Sequence, residues 1–246
     1  MSLVRLALRF ALPHVDIMAH RRCLFFGPHP DDIEIGAGAT AARLAREGRA
    51  VRFVICTDGR YGSRTIPPEE LVAVRQEEAI SAAKVLGVDD VVFLPFSDGA
   101  DYDVDSMLRA MAGEVADFQP DIIFAPDPCV ASECHEDHLN VGRLARRLAC
   151  AAPYEGIMAS LGAHSAPVDA IAFYMSAKCN VVVKSKGAMK AQLEAISKHH
   201  SQAIGSDIIT YLRLRSVQYG LSRLCLHAEG FRALGTTEMH CLPERG

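Results

Sequence analysis

The segment "CLFFGPHPDDIEIGAG", residues 23–38, decides the fold. Its first residues form an apolar run typical of a buried strand, and residues 37–48 have the composition of a helix. His29, Asp31 and Asp32 lie between the two, within four residues. That is a denser set of metal-binding and proton-transfer groups than a turn requires. The segment therefore predicts a strand, a chemically active turn and a helix.

The same alternation continues along the chain and predicts an α/β fold. Strands followed by helices form βαβ units, so we expect a mainly parallel sheet with helices on both faces, in a single domain. Such sheets bind ligands at the carboxyl ends of their strands. Residues 153–167 are irregular and are expected to form a lid or an oligomer contact. Strand-type runs occur at 22–27, 51–57, 91–95, 121–126, 168–175 and 180–184, and helix-type stretches at 37–48, 68–86, 103–118, 138–152, 185–200 and 206–222.

Composition excludes several classes of protein. The formal net charge of −4 and the absence of a Lys/Arg block argue against a nucleic-acid partner. The eight cysteines include no Cys-x-x-Cys pair, which argues against a thiolate zinc site and favours a reducing, cytoplasmic location. The turn at residues 27–38 does not fit G-x-G-x-x-G, and its carboxylates would repel a pyrophosphate.

The N-terminus is apolar but is interrupted by Arg9 and ended by Pro13, which argues against a secretory signal. A short helix with one apolar side could form there. That side would either pack on the domain or an oligomer partner, or lie on a membrane surface. The residues of that side are Leu3, Leu6, Ala7 and Phe10.

A second cluster, "ECHEDHLN" at residues 133–140, follows the fourth predicted strand. His135 and His138 are three residues apart, so on a helix they share a face. If strands one and four are neighbours, this cluster meets His29 and Asp32. Two histidines and one aspartate with an open position suit a catalytic zinc ion, which lowers the pKa of a bound water to about 7.

"PHPDD" after the first strand and "HEDH" about a hundred residues later resemble the PIG-L / LmbE-like family of zinc-dependent N-deacetylases. The resemblance covers residues 22–233. It implies a Rossmann-like fold and removal of acetyl groups from N-acetylglucosaminyl compounds, or cleavage of related amides. We therefore divide the chain into an N-terminal segment, residues 1–21, and a deacetylase-like domain, residues 22–246. The other stretches that agree are Thr57–Gly59, Arg75–Ala79 with Leu86–Gly87, Asp98–Gly99, Lys190, His200–Gln202 and "HAEGFR" at 227–232.

The resemblance assigns a role to each residue that matches the family pattern. It makes His29, Asp32 and His138 the ligands of zinc, with Fe²⁺ or another divalent ion as an alternative. Asp31 corresponds to the general base. His135 corresponds to the histidine that stabilises the oxyanion, as a cation, and Asp137 to the carboxylate that orients it.

The roles of four further residues are not fixed by the two clusters. Arg75 is either a surface helix residue or a group that holds the substrate pocket. Asp98 either shapes a turn with Gly99 or binds a substrate hydroxyl. The sequence leaves a pocket role for Asp127 open, and His199 is expected on a solvated helix face.

The leading functional hypothesis is a metal-dependent amidohydrolase that acts on an N-acetylated sugar or sugar conjugate. The expected partner is the small-molecule sugar substrate. The sequence leaves open whether the chain also forms a homo-oligomer. Two other hypotheses remain. One is an amidase acting on a thiol–sugar conjugate, and the other is a non-catalytic sugar- or nucleotide-binding protein with the same fold.

Overall fold

In the computed structural model of the protein, residues 15–240 are described. Strands and helices alternate along this range, as predicted. The strands are β1 (Arg22–Gly27), β2 (Ala50–Thr57), β3 (Asp90–Phe96), β4 (Ile122–Pro126), β5 (Ala170–Tyr174), β6 (Val181–Lys184) and β7 (Ala228–Gly235). The helices are α1 (Asp32–Arg46), α2 (Pro68–Leu86), α3 (Val104–Phe118), α4 (Glu136–Ala151), α5 (Glu155–Ser160), α6 (Met189–Ile196), α7 (Ser206–Leu221) and α8 (Thr236–His240).

The strands form one seven-stranded sheet in the order β3-β2-β1-β4-β5-β7-β6. Strands β1 to β5 pair in parallel, and β7 runs antiparallel to both of its neighbours. The mainly parallel single-domain sheet is thus confirmed. The neighbouring positions of β1 and β4, on which the second half of the site depends, are confirmed by the pairing of Cys23 with Ile122 and of Phe25 with Phe124.

Strand β1 shows why both faces of the sheet are covered. Leu24 and Phe26 pack into the core against α3 and α4, whereas Cys23 and Phe25 pack into the opposite core against α1 and α2. All four side chains are fully buried. Because successive side chains of a strand point to opposite faces, an uninterrupted apolar run belongs to a strand buried on both sides.

Three features of the fold differ from the sequence prediction by more than a few residues at an element's ends. Helix α1 begins at Asp32 rather than at residue 37, because the polar residues of the turn already form its first turn. Residues 153–167 contain the short helix α5. Strand β7 is missing from the prediction because buried Glu229 and Arg232 interrupt its apolar pattern.

The predicted helix face at Leu3–Phe10 lies outside the described residues. Between residues 15 and 240, no helix combines the length and the apolar character needed to cross a bilayer. Ile17 is buried in the core beside α1, so the chain packs on the domain before β1 begins.

Two side chains from outside α1 bind its backbone. The carboxylate of Glu229 accepts the amides of Ala39 at 3.1 Å and Thr40 at 2.6 Å, and the Gln192 amide donates to the carbonyls of Glu34 at 2.9 Å and Ile35 at 3.3 Å. In a regular helix the Ala39 amide donates to the Ile35 carbonyl. Glu229 and Gln192 therefore bind backbone groups in the middle of α1 and fix the turns that follow Asp32.

We expect Glu229 to make stability depend on pH. Burial raises the pKa of this carboxyl to about 7, against the opposing hydrogen bonds from α1. The folded state then holds a proton that the unfolded chain releases, so the free energy of unfolding falls by about 3 kcal/mol as pH rises from about 4.5 to about 7. Urea unfolding at about pH 5 and about pH 8 tests this. The fall should be smaller in Glu229→Gln, and an equal fall in both proteins would contradict the prediction.

Candidate metal centre and active site

The turn after β1 is held in an unusual backbone conformation. Asp31 precedes the first residue of α1 with φ 127° and ψ −25°, a region that non-glycine residues rarely occupy. The Thr57 hydroxyl donates to the Pro28 carbonyl at 2.7 Å, and the Arg75 guanidinium donates to the Pro30 carbonyl at 2.5 Å. Such a conformation costs about 1–3 kcal/mol and persists only where surrounding contacts hold it.

Three predicted ligands converge on one point. The Asp32 Oδ2 atom lies 3.1 Å from His29 Nδ1 and 3.3 Å from His138 Nε2. One ligand atom from each residue fits within 4.8 Å of the others. Two imidazole nitrogens and a carboxylate oxygen are donors that zinc and Fe²⁺ both accept. The residues therefore fit a divalent metal ion.

His138 has an acidic partner behind it that the sequence prediction missed. Its Nδ1 atom lies 3.1 Å from Glu133 Oε2, leaving Nε2 to face Asp32. A histidine that binds a metal usually donates its other ring N–H to a carboxylate, which fixes the orientation of the ring. Glu133 lies within the "ECHEDHLN" segment, so its position was visible in the sequence.

A second group shares His29 with the first. His29, His135 and Asp137 also bring one ligand atom each within 4.8 Å. Here, however, the Asp137 carboxylate already accepts the amides of Gly99 at 2.8 Å and Ala100 at 2.9 Å. These two bonds tie Asp137 to the loop after β3. In the His29, Asp32 and His138 group, the Asp32 carboxylate accepts one backbone amide, that of His29 at 2.8 Å, and not two.

Asp137 lies closer to His29 than to the histidine it was expected to orient. Its Oδ2 atom is 3.2 Å from His29 Nε2 and 3.6 Å from His135 Nδ1. It therefore contacts both rings, with the shorter contact to the predicted ligand. The His135 side chain is about half exposed, at 48%.

The site is rich in negative charge. Burial and the neighbouring Asp32 charge raise the pKa of Asp31 to about 7, whereas Arg75 opposes this shift. Burial alone would lower the pKa of His29, but hydrogen bonds to Asp137 and Asp32 raise it to about 10. Carboxylates that hold a proton on an adjacent imidazole this strongly also favour a metal cation in its place.

The surroundings of His135 disfavour the cationic form of its ring that the resemblance implies. Partial burial and the nearby rings of His29 and His138 lower the pKa of His135. The neutral imidazole is therefore favoured in this arrangement, and it can still donate one hydrogen bond from a ring N–H.

Arg75 is not a surface residue, since only 3% of it is exposed. Its guanidinium lies 3.2 Å from Asp31 Oδ1 and donates to the Gly59 carbonyl at 3.0 Å. Gly59 has φ +66°, and a Cβ there would clash with the guanidinium. The Thr57–Gly59 turn is therefore shaped around Arg75, which joins the loops after β1 and β2.

Asp98 is buried, and its carboxylate accepts the Tyr61 amide at 3.2 Å. It therefore fixes the loop after β2, and it also borders the site.

A cavity of about 360 Å³ opens above the predicted site residues. It is lined by His29, Asp31, Asp32, Tyr61, Gly62, Arg75, Asp98, Gly99, His135 and Gln202. Tyr61 and Gly62 were not predicted as lining residues, because the loop that carries them has no distinctive pattern.

The prediction for His199 was wrong. Its side chain is fully buried, with Nε2 3.7 Å from Glu34 Oε1, because the chain leaves α6 at residue 196 and turns inward behind α1.

Asp127 is also buried, but its carboxylate is bound by the guanidinium of Arg232 and by the Ser176 hydroxyl, each at 2.5 Å. It thus links β4, β5 and β7 rather than lining the cavity.

The histidine and aspartate cluster at the ends of β1 and β4 coincides with a family match. Residues 24–149 match the PIG-L family, described as GlcNAc-PI de-N-acetylase. The chain belongs to the PIG-L family. The match spans both halves of the site, from the strand before His29 to the helix that carries His138.

Relatives of this PIG-L family chain are named deacetylases. The chain is 30% identical over 234 residues to the diacetylchitobiose deacetylase of Thermococcus kodakarensis, covering 91% of this chain and 86% of that protein. It is 40% identical over 120 residues to the 1D-myo-inositol 2-acetamido-2-deoxy-alpha-D-glucopyranoside deacetylase of Kineococcus radiotolerans, covering 44% of this chain and 32% of that protein.

A solved relative shares nearly the whole fold. The N,N'-diacetylchitobiose deacetylase of Pyrococcus horikoshii aligns with a TM-score of 0.85 and 27% identity, covering 99% of this chain and 97% of the other. The expected family and fold are thus confirmed.

Proposed function

We propose that the protein is a metal-dependent amidohydrolase that removes the acetyl group from an N-acetylglucosaminyl-type sugar or sugar conjugate. The convergence of His29, Asp32 and His138 on one point, beside Asp31 in an open cavity, carries this proposal. The named activities of the relatives support the same reaction.

His29, Asp32 and His138 would hold the metal, and we propose zinc because two imidazoles and one carboxylate leave an open position. When bound, the ion would polarise the amide carbonyl and make water a stronger nucleophile at neutral pH. Asp137 and Glu133 would hold the rings of His29 and His138 in place by accepting their other N–H groups.

Asp31 would act as general base. As the water oxygen adds to the amide carbon, Asp31 takes the proton of the water, and the carbonyl oxygen gains the negative charge. A ring N–H of His135 would donate to that oxygen. When the carbon–nitrogen bond breaks, Asp31 returns the proton to the nitrogen, so the free amine and acetic acid leave, and the acid ionises to acetate. Arg75 would hold Asp31 in place, and Asp98 would support the loop that borders the sugar.

We further propose that the protein works in a reducing, cytoplasmic compartment. The seven cysteines between residues 15 and 240 are free thiols, and two of them are exposed. Disulfides are rare in proteins of reducing compartments, so this pattern supports the proposal.

The direct test measures acetate release from a panel of N-acetylglucosaminyl compounds. We expect the metal-loaded protein to release acetate and the chelated protein to be slower by more than about 100-fold, because both water activation and carbonyl polarisation would be lost. Cleavage of larger acyl groups with acetylated sugars left intact would favour a conjugate amidase. Sugar binding without release of any acyl group would favour a non-catalytic binding protein.

A further inference from the structure

We propose that a second pocket, beside the candidate active site, binds an apolar aglycone, an alkyl or aryl group attached to the N-acetylated sugar. This inference rests on the proposed function. We call the cavity the α7 pocket, because helix α7 forms one wall. Its volume is about 310 Å³, and its apolar lining includes Ile35, Met175, Ile208, Tyr211, Leu212 and Tyr219.

The α7 pocket lies at the same edge of the sheet as the metal ligands. Ile35 and Gly36 follow Asp32 by one turn of α1, and Met175 directly follows β5. Strand β4 separates β5 from β1, so their carboxyl ends are about 10 Å apart. A substituent a few bonds long on a sugar at the metal centre can span that distance.

Several polar atoms around the pocket already have partners within the protein. The Tyr219 hydroxyl lies 3.0 Å from Cys179 Sγ, and the Ser216 hydroxyl lies 2.8 Å from His227 Nδ1. The Arg215 guanidinium lies over the Tyr219 ring, 4.9 Å from its centroid. The pocket therefore offers mainly ring faces and aliphatic side chains to a ligand.

Exposed apolar side chains of the pocket indicate that its occupant is apolar. Ile208 and Tyr211 are 40% and 60% exposed, although they line a concave surface. An apolar group seated there would remove their surfaces from water. Concave, mainly apolar pockets with a few polar groups are typical of small-molecule sites.

A second copy of the chain is the competing occupant of the pocket. Side chains of α7 inside and outside the pocket distinguish it from an aglycone. Residues 208, 211, 212, 215 and 219 recur at helical spacing and line the pocket. Leu214 is 67% exposed and does not line it. A protein partner would also cover Leu214, whereas an aglycone in the pocket would not contact it.

The test uses a series of N-acetylglucosaminides with methyl, butyl, hexyl and phenyl aglycones. We expect kcat/KM for acetate release to rise roughly fourfold per methylene from methyl to hexyl, because each methylene leaves water for the pocket. Ile208→Asp, and Tyr211→Ala as a milder variant, should flatten this dependence. Leu214→Asp is the matched control on the same helix and should keep it.

Each contrary outcome has a distinct meaning. Turnover that does not depend on chain length overturns the pocket but leaves the deacetylase standing. Loss of the dependence in Leu214→Asp, with a change in molecular mass in solution, assigns the face to contact between copies and also overturns the inference. If no compound is hydrolysed, calorimetric titration of the hexyl glycoside shows whether the pocket binds the aglycone. Tight binding that Ile208→Asp weakens supports the pocket without the proposed activity, and no binding overturns both.

Discussion

Asp31→Asn should lower kcat for deacetylation by about 10²–10⁴-fold, the range typical of losing a general base. The amide of asparagine cannot take the proton from the attacking water or return it to the leaving nitrogen. Asp31 borders the cavity beside the metal ligands but does not belong to the group that converges on Asp32. We therefore expect Asp31→Asn to retain its metal.

Asparagine is the substitution that isolates this chemistry from folding. Position 31 has φ 127°, and asparagine tolerates positive φ better than most other residues. Its side-chain oxygen can still accept the contact that Arg75 makes to Oδ1 of Asp31. The variant should therefore unfold at nearly the same denaturant concentration as the wild type.

Metal content and kcat should be measured together on the purified variant. Asp89→Asn, which removes an exposed aspartate just before β3, provides a control for loss of one negative charge. Near-normal turnover in Asp31→Asn would contradict the assigned base. Loss of the metal from this variant would instead indicate that Asp31 takes part in binding the ion.

Much of the fold could be predicted because the buried strands are continuous apolar runs. Phe25 and Phe26 face opposite cores, so β1 needs apolar residues at every position. The predicted strand at 22–27 agrees with the observed one. Strand β7 could not be found in this way, because Glu229 and Arg232 are buried through specific partners, one in α1 and one directly after β4.

The site was predictable where several chemical groups lie close together in sequence. His29 to Asp32 and His135 to His138 are two such clusters, and the sheet brings them together because β1 and β4 are neighbours. His199 contacts Glu34 across more than 150 residues. No local pattern indicates that contact, since it depends on how the chain turns after α6.

The last prediction decides which of the two histidine groups holds the metal. His138→Ala should weaken metal binding by more than about 100-fold, because even losing a partner of a ligand costs about 10–100-fold. His135→Ala should keep the metal and lower kcat by about 10²–10³-fold, as loss of an oxyanion donor does. His29 belongs to both groups and cannot distinguish them.

The measurement is the metal content of each variant after dialysis of zinc-loaded protein, followed by turnover on the same samples. Glu133→Gln adds a graded step, since it removes only the carboxylate behind His138 and should weaken binding by about 10–100-fold. His164→Ala, an exposed histidine paired with Glu155, controls for loss of an imidazole. The reverse result, with metal lost from His135→Ala and kept by His138→Ala, would move the ion to the Asp137 group. That carboxylate would then have to bind the ion while still accepting the amides of Gly99 and Ala100.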